Sequence, residues 1–215
     1  MANEVQELKE PAPARSAKDD RRDAIVAIAQ KTFIANGYAG TSMSEIAARL
    51  GGSKGTLYSY FKSKEELFVA VVGRKCAQIE ALMKDAVIKS GGDLKATLTD
   101  FGEHFLELVL SDDSIATFRL AIAESDRFPE IGQAIYNTGI SQNLRRTTEL
   151  LRHAKEASQL RDDVDVAVAA EQFLDLCLTG IHRRRLLSVT REPSAKEVRA
   201  NVAHAVSTFM LAFGA

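Results

Sequence analysis

Apolar residues recur every three to four positions through most of this chain, and no stretch alternates with period two for long. That pattern predicts helices throughout and no sheet. Asp20 to Asn36 carries Ile25, Ile28, Ala29, Thr32 and Phe33 on one face, and Gly37 follows where glycine commonly ends a helix. Thr41 to Leu50 places Ile46, Ala47 and Leu50 on a stripe, opened by Ser42 with Glu45 three residues on, the spacing of a capping box. Gly51-Gly52 breaks that helix. A short one then begins at Ser53, with Leu57 and Phe61 four apart on its apolar face. Ser63 and Glu66 form a second capping box ahead of a long helix from Lys64 to about Lys89, whose inner positions include Leu67, Phe68, Val71, Val72, Cys76, Ile79, Met83 and Ala86.

Beyond Gly91-Gly92 the same reading continues. Asp93 is placed to cap Leu94 to Leu110, Asp112-Asp113 mark a start before Ile115 to Ser125, and Pro129 suits the first turn of a helix reaching Ala157. Asp162-Asp163 precede one continuous helix from Val164 to Val189. Pro193 and a third capping box, Ser194 with Glu197, introduce the last helix, which ends near Phe213. The expected fold class is all-α, about nine helices, with an N-terminal helix-turn-helix and a C-terminal helical bundle.

Composition narrows the class. At 215 residues the chain could form one or two domains. Cys76 and Cys177 lie in separate apolar patterns without a CxxC spacing, which predicts reduced, buried thiols in a cytoplasmic protein. Met1 to Glu10 is acidic and lacks the apolar run of a secretory signal, and no apolar run approaches the roughly 18 residues of a membrane span. Charge is uneven. Residues 15–64 carry nine Lys/Arg against four Asp/Glu, whereas residues 65–215 carry eighteen against twenty-two. A basic head on an acidic body suits contact with phosphate at one end. Residues 1–18, with Pro11 and Pro13, read as a flexible tail; Arg15, Lys18, Arg21 and Arg22 in and just after it either reach DNA or are simply solvated; residues 19–64 form the head and 65–215 the body.

His104, His153, His182 and His204 have no metal-ligand spacing, and the chain has no nucleophile elbow, phosphate loop or dinucleotide fingerprint. No enzyme activity, metal or cofactor is therefore expected. Two short helices across a glycine turn instead make a helix-turn-helix, whose second helix reads bases in the major groove. Chemistry assigns the roles. Tyr58 offers a phenol to a phosphate, and Lys64 lies at a helix N-terminus, which favours an anion. Thr41 and Ser42 can donate to the DNA backbone. Lys54 can donate to guanine O6/N7, and Thr56 can meet a thymine methyl or a backbone oxygen. Gly55 permits close approach, and Ser59 and Tyr60 are the adaptable specificity positions. The run His182-Arg183-Arg184-Arg185 is either a second nucleic-acid surface or a solvated or dimer-rim face.

Over residues 20–68 the sequence closely resembles the DNA-binding domain of the TetR family of bacterial transcriptional regulators. The matching residues are Ala29, Phe33, Gly37, Tyr38, Thr41, Ile46, Ala47, Gly51, Lys54, Gly55, Thr56, Leu57, Tyr58, Tyr60, Phe61, Lys64, Glu65, Leu67 and Phe68. Gly52 departs from the pattern, since the family usually has an apolar residue there to pack the turn. The resemblance implies a homodimer on a palindromic operator in double-stranded DNA, paired through the last two long helices. Phe173, Leu174, Leu178 and Ile181 of one, with Val202, Val206 and Phe209 of the other, are the expected interface. It also implies a pocket in the body for a small hydrophobic effector. The expected lining is Phe101, His104, Phe105, Leu108, Phe118, Ile122, Tyr136, Phe173, Leu176 and Cys177. The segment Phe118 to Tyr136 resembles the multidrug-efflux-type, AcrR-like regulators. The helix starting at Lys64 touches head and pocket and is the expected lever. An inducer-free architectural protein and an activator are the alternative readings.

Overall fold

A computed structural model describes residues 16–89 and 91–215. Ten helices account for most of it. They are α1 (Ala17–Gly40), α2 (Met43–Arg49), α3 (Lys54–Tyr60), α4 (Lys64–Lys89), α5 (Leu94–Val109), α6 (Asp112–Glu124), α7 (129–156), α8 (Val166–Leu178), α9 (Ile181–Leu186) and α10 (Ala195–Phe213). Among the described residues, β pairing is limited to one antiparallel bridge between Leu160 and Gly214. The tail expected over 1–18 lies outside the described residues up to position 15, Arg15 included. From there Ser16 caps α1 in a complete box with Asp19, a signal that the sequence reading passed over.

Helix starts follow side-chain chemistry closely. Ser42, Ser53, Asp93, Ser111, Asp165 and Ser194 each accept a main-chain amide of the turn they open. Of the three expected capping boxes only Ser194 with Glu197 is complete. Glu45 bonds Asn36 and Arg49 instead of reaching back, and Glu66 reaches the amide of Lys62 rather than that of Ser63.

Two expectations on continuity change. The helix expected over Val164 to Val189 is two, because Thr179 leaves the helical region and Gly180 takes φ +72°. Gly37 interrupts α1 with φ +74° and ψ 165°, a region open essentially to glycine, and Tyr38 to Gly40 complete a turn beyond it. α7 runs from Pro129–Ala134 through a π-turn at Ile135–Ile140 into Ser141–Glu156. Such a turn places one extra residue in the helix and is often found at functional sites.

Two apolar cores result. The first gathers Ile25, Phe33, Tyr38, Ile46, Leu57, Phe61 and Phe68, and is closed by Ala121, Ile131 and Ala134 from the body. The second lies between α4, α5, α7, α8 and α10. Its spine is a file of rings: Phe101 on Phe105 at 5.6 Å and on Phe173 at 6.4 Å, Phe173 on Phe209 at 5.4 Å, and Phe209 on Phe213 at 5.0 Å.

Candidate nucleic-acid interface and a cavity in the body

α3 is short, so its orientation depends on its neighbours rather than on its own hydrogen bonds. Leu57 is fully buried, and Phe61, just past its end, is 1% exposed with the Arg22 guanidinium 5.0 Å above its ring. Gly51 makes the turn from α2 with φ +67°. At Gly52 an added Cβ would meet Arg21 Nη2 at 3.5 Å, so a guanidinium lies where the resemblance leads one to expect an apolar side chain. With its inner face fixed, α3 holds Lys54, Gly55, Tyr58 and Ser59 in solvent, with Tyr58 49% exposed.

The expected contacts divide. Lys54, Gly55, Tyr58 and Ser59 are exposed on α3, and so is Ser42 at the start of α2, whose oxygen accepts from Glu45 N. Thr56 is half-buried, its hydroxyl 3.0 Å from that of Ser53, and Ser59 donates to the Thr56 carbonyl at 2.7 Å. Tyr60 is half-buried against the head core. Thr41 does not face outward. It is 2% exposed, and its hydroxyl donates to the Gly37 carbonyl at 2.8 Å, so it braces the bend. Lys64 also turns inward: Nζ donates to the carbonyls of Tyr38 (2.8 Å) and Thr41 (3.1 Å), 4.2 Å above the Tyr38 ring. A helix N-terminus favours an anion, but two carbonyls of the adjacent turn satisfy most of this ammonium. The Tyr38 phenol donates to Glu65 at 3.1 Å; burial, then the nearby Glu65 carboxylate, raises its pKa and keeps it a donor.

The bend at Gly37 is also where head meets body. Glu124, the last residue of α6, accepts from the amides of Tyr38 (3.1 Å) and Ala39 (3.4 Å). Earlier on α6, Thr117 accepts from Gln30 of α1 at 3.2 Å, a buried bond. α6 is therefore fastened to the head at two points, and it joins α4 as an expected lever.

Between α4, α5, α6, the π-turn, α7, α8 and α9 lies a cavity of about 310 Å³. Three expected pocket residues line it: Phe105, Phe118 and Tyr136. The others do not. Phe101, Phe173 and Cys177 are fully buried in the second core, where burial pushes the Cys177 thiol up to about 12. Leu108 and Leu176 pack on the outside of that core. Ile122 is 61% exposed, and the ring of His104 is bonded to the Asp100 carbonyl. The histidine at the cavity is His182, edge-on to Phe118 at 5.6 Å, its pKa lowered by burial. Leu174 and Leu178, expected at a subunit interface, also line the cavity. The remaining interface candidates, Phe173, Ile181, Val202, Val206 and Phe209, are buried within the single chain. Val202 is held there by Gly102, where an added Cβ would come within 2.9 Å of its Cγ1. Helical spacing marked these faces as apolar without showing which way they turned. Asn143 and Cys76, both in the cavity wall, were not singled out for it, and nothing local distinguishes them. Among the described residues no cluster of His, Cys, Asp or Glu could hold a metal, and no helix is long and apolar enough to cross a membrane.

Known families match both parts of the chain. The family of bacterial regulatory proteins of the TetR type matches residues 25–71, and the C-terminal domain of AefR-like transcriptional repressors matches residues 96–215. The HTH-type transcriptional regulator AcrR of Shigella flexneri is 25% identical over 206 residues, 92% of this chain and 94% of that protein. The HTH-type transcriptional activator FasR of Mycolicibacterium smegmatis is 31% identical over 119 residues, and the match spans only about half of each protein, 52% of this chain and 54% of the activator. The solved structure of the flavonoid-responsive regulator FrrA superposes with a TM-score of 0.72 at 27% identity, covering 91% of this chain and 98% of that one.

Proposed function

The chain belongs to the TetR family of bacterial transcriptional regulators, which are DNA-binding proteins and not enzymes, and on that premise we propose that it is a cytoplasmic repressor released from a palindromic operator by a small, mostly apolar effector. The observation that carries the DNA half is the outward face of α3, where Lys54, Gly55 and Tyr58 stand in solvent over buried Leu57 and Phe61. Lys54 donates to a guanine edge, and Tyr58 and Ser42 donate to phosphates. Two copies bind half-sites about 34–36 Å apart. They pair through the outward faces of α8 and α10, where Val168 and Leu211 are 47% and 83% exposed.

The cavity supports the effector half, and the description of FrrA as flavonoid-responsive supports a small-molecule signal. Its walls include Val72 and Cys76 of α4 and Thr117 of α6, the helices that hold the head. An effector shifts the protein only by as much as it prefers one arrangement of those helices. A switch from 1:99 to 99:1 needs a preference of about 5.5 kcal/mol. Selection of genomic fragments at low salt, followed by mobility-shift titration, tests the reading. It should recover inverted repeats, and effector should release them. Retention of no fragment would overturn it.

A further inference from the structure

On the reading that the cavity takes an effector, we propose that this effector is a neutral, ring-containing molecule whose hydroxyl group donates to Asn143 Oδ1. Asn143 stands in the cavity wall, 9% exposed, and its Oδ1 has no hydrogen-bond partner among the described residues. A buried acceptor left unmatched is costly, so such atoms are normally paired in the working state. Two neighbouring hydroxyls, those of Thr117 and Ser114, do not compete for a ligand in the same way. Thr117 already donates to the Asp113 carbonyl at 2.7 Å and accepts from Gln30, and Ser114 donates to the Leu108 carbonyl at 2.7 Å. The Asn143 main-chain carbonyl is taken by Thr147. Oδ1 is shielded as the side chain stands, so the amide must turn toward the cavity to present it to a donor, and an acceptor on the same group then suits the Asn143 Nδ2 protons.

Charge and shape narrow the class. Glu171 and Asp175 stand exposed on α8 at the cavity, against one half-buried ammonium, Lys75. Neither an acyl anion nor a lipophilic cation would find a buried counter-charge, because both carboxylates are solvated and the ammonium is only half-buried. Neutrality satisfies both constraints. Phe105, Phe118, Tyr136 and His182 supply ring faces and edges, which favour aromatic partners. At about 310 Å³ the cavity is near the lower end of the ~300–1,000 Å³ range of ligand sites, suited to a compact ring system.

Calorimetric titration of the full chain, free of DNA, tests this with β-naphthol, its methyl ether, naphthalene, decanoate and tetraphenylphosphonium. β-Naphthol should bind about tenfold or more tighter than naphthalene. The ether, which accepts but cannot donate, should gain nothing over naphthalene, and decanoate and the phosphonium should bind more weakly than β-naphthol. Asn143→Leu should erase the preference for the hydroxyl. If that variant does not fold, the probe series on the native chain still decides. The proposal is overturned if the ether matches β-naphthol, if either ion binds more tightly than β-naphthol, or if Asn143→Leu keeps the preference. Operator release is measured separately. Probes that bind in the stated order without releasing DNA would sink the repressor reading and leave the ligand class standing. Release by other compounds with this order absent would sink the ligand class alone.

Discussion

In the head, polar groups that look available turn inward, and in the body a group that looks ordinary is left wanting. Thr41 and Lys64 donate to main-chain carbonyls around Gly37 and the Tyr38 phenol donates to Glu65, so these groups are spent inside the head while Ser42, Lys54, Tyr58 and Ser59 of the α2–α3 region stay open. The body has a well-packed spine of rings, yet beside it lies a cavity with the unmatched oxygen of Asn143. On the proposed function the contrast follows from what each must do. A reading surface has to arrive at the groove already in register, which needs a core without slack. A pocket needs space and an unmet bond that a ligand can supply.

The sharpest way to break the comparison is at the braced side. Leu57→Ala removes a fully buried anchor of α3 and should cost about 2–5 kcal/mol, visible as a large fall in melting temperature with loss of operator binding. A stable variant with intact binding would mean that α3 is not held by its inner face. Gly37→Ala should cost about 1–3 kcal/mol, because alanine disfavours φ +74° with ψ 165° and its Cβ would come within 3.1 Å of Glu124 Oε1. Hydrogen exchange would place that loss around Tyr38 to Thr41.

Next comes the open side. Tyr58→Ala should weaken operator binding about tenfold, a loss of about 1.4 kcal/mol, while the melting temperature stays put, since the ring is 49% exposed. Unchanged affinity in a mobility-shift titration would remove Tyr58 from the interface. Lys54→Ala should cost about 1–3 kcal/mol and relax preference at one base pair. A uniform loss across sequences with a shallower salt dependence would make Lys54 a phosphate contact instead.

The smallest effect is at the far end of the body. Glu197 accepts from the Ser194 hydroxyl and amide, and these bonds hold its carboxyl below the usual carboxylate range. The sign follows from that direction. The folded pKa is depressed, so the contribution is complete above the unfolded value and is lost as pH falls through the folded one. Glu197→Gln should therefore flatten the acid limb of a melting-temperature profile slightly and leave operator binding unchanged.

Much of the head was legible because its signals are local. A serine before an apolar turn, two glycines and a leucine four residues before a phenylalanine specify elements from neighbouring residues alone. Thr41 and Lys64 were misread for the complementary reason: their partners, the carbonyls of Gly37 and Tyr38, come within reach only once the chain bends. The body was legible as helices but not as surfaces. The same apolar spacing describes a core position such as Phe173, a cavity position such as Leu174 and an exposed one such as Ile122. What separates them is which helix lies opposite, and that depends on long-range packing such as the close approach of α10 at Gly102.

The bonds from Gln30 to Thr117 and from the amides beyond Gly37 to Glu124 bear on protein engineering. A chimera that joins a foreign recognition module to this body at the junction near position 64 would cut the covalent chain cleanly while orphaning both attachments on α6. Exchanging modules between relatives should therefore preserve signalling only when the graft keeps glutamine at 30 and the glycine bend at 37, or when α6 travels with it.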